Sequence, residues 1–173
     1  MDVVKKSVES LHGRIDINSI PGKGSTFTIR MPLTLAIIDG QIIRVGDNRY
    51  IIPINAIDRS LKPTNEQLSS VQGRGEMAVV QGNLMPIIRL YRLFGIVPDT
   101  EDPTESLLVV VEDEDKKCCL LVDELLGQQQ VVIKSLGDGL GKVKGISGGA
   151  IMGDGKVSLI LDIPNLIELA NKI

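Results

Sequence analysis

Two short hairpins with glycine-bearing turns, some seventy residues apart, constrain this chain more than any other feature. In the first, Met77–Val80 is an apolar run, Gln81-Gly82-Asn83 supplies residues that tolerate the positive φ of a tight turn, and Leu84–Leu90 is a second apolar run. In the second, Ala150-Ile151-Met152 leads into Gly153-Asp154-Gly155, and Val157–Ile163 follows. Each is preceded by a further pair of apolar runs, which implies a duplicated small β unit. Pro86 lacks a ladder donor and points to an edge strand or a bulge within the first hairpin.

Two such units fit 173 residues. Hydrophobic residues make up 43% of the chain and aromatics 2%, with no Trp, so the core must come from Val, Ile and Leu, whose branching favours strands. A net charge of −3 argues against a phosphate-backbone partner, because that binding needs clustered Lys and Arg. Scarce aromatics argue against base stacking. No apolar run reaches the length of a membrane span, and no signal peptide is visible. Cys118 and Cys119 are neighbours in an apolar run, where they face opposite sides and cannot bridge; they read as packing residues of a protein in a reducing cytoplasm.

Residues 1–33 differ from the remainder. Val3, Val4, Val8 and Leu11 fall at helical spacing and predict a helix ending at Gly13, while Ile15–Asn18 and Thr26–Arg30 alternate as two strands joined by Pro21-Gly22-Lys23-Gly24. A helix and one hairpin cannot bury their apolar faces alone, so this piece reads as the tail of a larger domain.

From Leu35 the pattern is β-rich. Runs at Leu35–Ile38, Ile42–Val45 and Tyr50–Ile57 are separated by Asp39-Gly40 and Gly46-Asp47-Asn48, both turn signals. Leu61–Gly75 reads as a loop with one short helix, Tyr91–Gly95 as a helical turn and Val97–Ser106 as a connector. Leu107–Val111 and Cys118–Val122 form a hairpin; Leu125–Gln130 reads as an apolar loop before a strand at Val131–Ile133. A flexible Gly-rich segment covers Gly137–Gly149, and a closing helix begins at Ile163 or Pro164 and reaches Lys172. These counts predict two barrel-like sheets of about five strands each.

Catalytic chemistry finds little footing. His12, the one histidine, has no local carboxylate partner and reads as a helix-end residue. Pro21–Ser25 and Gly137–Lys142 fail as phosphate loops, since Gly24 and Val143 stand where a hydroxyl residue is required. No His or Cys cluster has metal-ligand spacing. The acidic runs Glu112–Asp115 and Asp123-Glu124 read as solvated charge. Leu125–Gln130 and Lys144–Ile151 are apolar and nearly uncharged where loops are expected; they serve either as docking surface or as plugs of the barrel ends.

Residues Leu120–Lys134 (LLVDELLGQQQVVIK), Gly145–Gly155 (GISGGAIMGDG) and Leu159–Asp162 (LILD) closely resemble the C-terminal regulatory domain of chemotaxis histidine kinases of the CheA type. Pro32–Gly40 looks like the start of that domain. Met1–Lys6 and Ser19–Ile29 look like the last helix and strands of the ATP-binding domain before it. The resemblance implies a mainly β, CheW-like fold of two SH3-like barrels with a C-terminal helix over residues 34–173, and a short α/β remnant of the kinase domain over residues 1–33. It implies a regulatory and scaffolding role, docking the coupling protein CheW and the cytoplasmic tips of chemoreceptors. It further implies residence in the cytoplasm at receptor arrays, and neither nucleic-acid binding nor membrane insertion. The phospho-accepting histidine and the nucleotide-binding boxes belong upstream of Met1, so neither catalysis nor a cofactor is expected here; ATP would belong to the missing kinase body. Partner contacts are expected at Ile54, Asn55 and Arg59, at Gln81, at Leu126, Gly127 and Gln129, and at Gly145, Ile146 and Ile151. A free coupling protein is the alternative, but those commonly carry Asn-Leu-Arg-Gly where this chain has Val79–Gly82, and lack a kinase tail.

Overall fold

The computed structural model describes residues 2–10, 13–31, 37–73, 75–134 and 143–172. His12, the predicted start at Leu35 and the Gly137–Lys142 run lie outside them. The chain divides into two compact units, Met1–Ala36 and Ile37–Ile173.

The first unit is helix, strand, strand, as the periodicity predicts. Helix α1 (Asp2–Ser10) stops short of Gly13, whose N–H donates to Val8 O at 2.8 Å. Strands β1 (Arg14–Ile20) and β2 (Gly24–Arg30) pair antiparallel with Ile15 opposite Ile29 and Ile17 opposite Phe27. Ile17, Phe27 and Ile29 remain more than half exposed, the burial deficit expected of one hairpin.

The second unit opens with β3 (Ile37–Val45) and β4 (Asn48–Pro53), then a 3-10 turn at Ile54–Ala56, β5 (Ile57–Leu61), a second 3-10 turn at Asn65–Gln67, and β6 (Leu68–Val71). Next come β7 (Gly75–Val80), β8 (Asn83–Arg89) and α2 (Leu90–Phe94). After a connector follow β9 (Leu107–Asp113), β10 (Lys116–Val122), β11 (Glu124–Lys134), β12 (Ile146–Ile151), β13 (Val157–Leu161) and α3 (Ile163–Asn171).

Several expectations change here. Asp39-Gly40 is not a turn: β3 runs straight through it, because Gly40 lets the barrel close tightly. A Cβ there would lie 2.5 Å from Ile51 Cγ2. The run Tyr50–Ile57 is two strands broken at Ile54–Ala56, and the expected loop after Leu61 contains β6. Leu125–Gln130 is not a loop but the first half of β11. Strand β8 is not an edge either; it lies between β7 and β10. Pro86 is tolerated because β8 pairs with β10 only from Ile87 onward, so no ladder donor is lost on that side.

Strands β11-β12-β13-β4-β3 form a closed barrel, and β5-β9-β10-β8-β7-β6 a six-stranded sheet. The two have one plan. In the barrel β11 pairs with both β3 and β12; in the sheet that duty is split, β5 pairing with β9 and β6 with β7, because residues 62–67 interrupt the strand. Both contain one parallel pair, β13 with β4 and β8 with β10. The duplication is therefore real in sequence order, with α2 and α3 closing the two repeats. In space the repeats exchange parts: the barrel takes the hairpin β3–β4 from the first repeat and β11–β13 from the second, and the sheet takes the hairpin β9–β10 from the second and β5–β8 from the first.

One apolar cluster runs through both β units, from Ile43, Val45, Tyr50 and Ile52 to Leu108–Val111, Cys118–Val122 and the inner face of α3. Tyr50 stacks on Phe94 at 4.9 Å, and burial pushes its hydroxyl pKa up. A second cluster, including Ile42, Ile51, Val131 and Ile160, fills the barrel. Asp162 caps α3 by accepting from Asn165 N–H.

Candidate docking surface

Ile54 stands where the chain passes from one β unit to the other, and its side chain lines two clefts. The first, of about 620 Å³, is mostly apolar, lined by Ile38, Pro53, Ile133 and Ile160 together with Asp39, Asn55, Ser147 and Gly148. The second, of about 230 Å³, is bounded by Ile57, Arg59 and Ser60 of β5, Val109 of β9, Gln41 of β3, and Leu125 and Gln128 of β11. The fold thus brings parts of all three predicted segments together around one residue.

The predicted residues separate into groups. Ile54, Asn55 and Arg59 line these clefts. Leu126 is the extra residue of a β-bulge between Leu125 and Gly127, and the bulge leaves it 40% exposed. Gly127 at the same bulge has φ +119°. Gln129 is half-buried over the second Gly-rich turn, near Gly153. Ile146 and Ile151 are the half-buried ends of β12. Gly145 is buried and belongs to the framework: φ is +78°, its N–H donates to Asn165 Oδ1 at 2.9 Å, and an added Cβ would lie 2.8 Å from Leu166. Gln81 lies at the β7–β8 turn with φ +52° and lines neither cleft.

Sequence reasoning passed over Gln41. It is a polar residue 8% exposed in the middle of β3, and its Nε2 donates to Ile42 O (3.0 Å) and Gly127 O (2.9 Å). The signal was a lone amide inside an apolar run, hidden by reading Asp39-Gly40 as a turn.

Away from the clefts, charged side chains are paired with one another. Arg44 makes a two-pronged pair with Asp99 (2.7 and 3.1 Å) and a bond to Glu124 (3.1 Å), which raise its pKa and lower that of Asp99. Asp123 accepts from the N–H of Gly46 (2.6 Å) and Asp99 (3.3 Å), so this acidic pair is engaged in bonds and not merely solvated. Lys117 joins Asp58 and Glu112 at 3.2 Å each. Burial pushes both cysteine thiols up to about 12, which suits packing and not nucleophilic chemistry. Among the described residues no group of His, Cys, Asp and Glu could hold a metal, and no helix is long and apolar enough to cross a membrane.

The CheW-like domain family model matches residues 39–171. The chain is 40% identical over 172 residues to the chemotaxis protein CheA of Klebsiella aerogenes, covering 99% of this chain and 26% of that protein. It is 42% identical over 173 residues to CheA of Treponema pallidum, covering 99% of this chain and 21% of that protein. The chain therefore spans about a quarter of the length of the curated relatives it matches. In three dimensions it resembles the scaffolding protein TtCheW of Thermoanaerobacter tengcongensis, with a TM-score of 0.63 at 17% identity over 72% of this chain and 88% of that one. That likeness bears out the CheW-like fold that the resemblance implies, with one five-stranded barrel closed and its counterpart a six-stranded sheet, and the family match shows that the chain belongs to the CheW-like domain family of chemotaxis signalling proteins.

Proposed function

We propose that the chain is the regulatory and scaffolding module of a chemotaxis histidine kinase. In this reading it docks a CheW-type coupling protein and the cytoplasmic tips of chemoreceptors, so that receptor state controls the kinase. The carrying observation is the convergence of Ile54, Asn55, Arg59, Leu125 and Gln128 on two clefts, one mostly apolar and one mixed, at the junction of the β units. The kinase branch is favoured over a free coupling protein because similarity to the CheA relatives extends over 99% of the chain, across the α1–β2 unit as well. Residues 1–33 are then the end of an ATP-binding domain. Phosphoryl transfer and ATP binding belong to the rest of that kinase, and the module works in the cytoplasm, held at receptor arrays through its partners.

Calorimetric titration with a CheW-type coupling protein from the same organism tests this reading. Saturable one-to-one binding is expected, weakened at least about tenfold by Ile54→Asp, which places an unpaired charge in the apolar contact. Absence of binding by the folded wild-type chain contradicts it.

A further inference from the structure

The most buried polar side chain of the smaller cleft carries an oxygen that the fold does not use. Gln41 is 92% buried by its 8% exposure, and both of its hydrogen bonds are made by Nε2, to Ile42 O and to Gly127 O. Two carbonyl acceptors can be served only by the amide nitrogen, so the side chain is locked with Oε1 on the other side, and among the described residues no hydrogen bond reaches that oxygen. Among the described residues no fully buried side-chain nitrogen or oxygen lacks a hydrogen-bond partner, so Oε1 is not sealed from solvent, and the smaller cleft is the opening that Gln41 lines. The cleft is otherwise lined by Ile54, Ile57, Val109 and Leu125, with Arg59, Ser60 and Gln128 as the polar neighbours.

We infer that Gln41 is a specificity residue of the docking surface: Oε1 accepts a hydrogen bond from an uncharged donor, an amide or a hydroxyl, carried between apolar side chains on a segment of the partner protein. The chemistry of the donor follows from charge. A lysine or arginine in so small a cleft would face the Arg59 guanidinium, whose one ion pair among the described residues is to the adjacent Asp58 at 3.2 Å. A wholly apolar segment would bury the Gln41 oxygen without a partner, at the cost of a lost water bond. The bulge at Gly127 is the second half of the device, because its carbonyl holds the amide in this orientation. The inference rests on the docking reading above.

The test uses the whole chain, with the CheW-type coupling protein and a receptor cytoplasmic-tip fragment as separate probes. Gln41→Met keeps the length and removes the acceptor; binding of the probe that occupies the cleft should weaken about 3- to 10-fold, the range of one hydrogen bond. Partner residues Asn, Gln, Ser and Thr at the interface are then replaced singly by apolar ones. One of them should show a non-additive double-mutant cycle with Gln41→Met, which a purely structural role of Gln41 does not produce. In the wild-type chain the Gln41 side-chain carbonyl ¹³C shift should move on binding, a readout independent of how the variant folds. Normal binding of wild type together with unchanged affinity of a folded Gln41→Met, or a static ¹³C shift, overturns the Gln41 assignment and leaves docking standing. Failure of both probes to bind wild type overturns both.

Discussion

Gly127 shows how a residue's backbone and its surroundings can give opposite answers. A Cβ at this position meets nothing within 4 Å, so space alone permits a larger side chain, as the reading of this segment as an open docking loop implies. Its φ of +119° does not, since side-chain-bearing residues avoid that region. Gly127→Ala is therefore expected to lower stability by about 1–3 kcal/mol in urea unfolding. A change below about 0.5 kcal/mol would mean that the bulge relaxes without cost. The sequence made the glycine visible, but not that it sits in a bulge. Gly145 is the complementary case, a position picked for docking whose φ and packing against Leu166 make it framework. Gln41 was missed because its neighbours Asp39 and Gly40 carry a turn signature that the close approach of Ile51 overrides.

Among the elements, the hairpins and closing helix were legible because tight turns and caps are local chemistry. Gln81 and Gly82 adopt φ +52° and +80° where the turn needs them, and α3 begins at Ile163 beneath its Asp162 cap. Strand β11 was not legible, because its first half owes its extended form to pairing with β3 eighty residues away and not to β propensity. The end of β8 is fixed by charge. Arg89, 9% exposed, grips both oxygens of Glu76 at 2.6 and 2.7 Å and also reaches Tyr91 Oη and Glu101 O. The bonds from Arg89 hold the Glu76 carboxyl below its ordinary value. That contribution to stability is complete above the unfolded-state pKa of about 4.3, and is lost as pH falls through the lower folded value. Glu76→Gln should cost about 1–2 kcal/mol at pH 7, less than a fully buried charged pair because Glu76 is partly exposed. The difference from wild type should shrink as pH falls through the acid range toward 3. A deficit independent of pH would show that the carboxylate charge is not what holds the strand.

For the whole molecule, the exchange of parts between repeats decides how it holds together. The duplication could be read from two hairpins of like grammar, but not that β3 and β4 close a barrel with β11–β13, because strand order in space leaves no local trace in sequence. Each β unit contains strands from both sides of the connector at residues 95–106. Cutting that connector beside Val97, which is 85% exposed, should leave two fragments that co-elute on gel filtration and part only in denaturant. Two separately eluting folded pieces would contradict the exchanged topology.

The proposed docking site lies where the two β units meet around Ile54. Backbone amide shifts of the labelled chain, recorded during titration with a CheW-type coupling protein, test it most directly. Docking at this site should gather the perturbed residues at Ile38–Gln41, Pro53–Ser60, Leu125–Gln128 and Ser147-Gly148. Perturbations gathered instead at the β7–β8 turn around Gln81, or on β1 and β2, with those four segments silent, would contradict it.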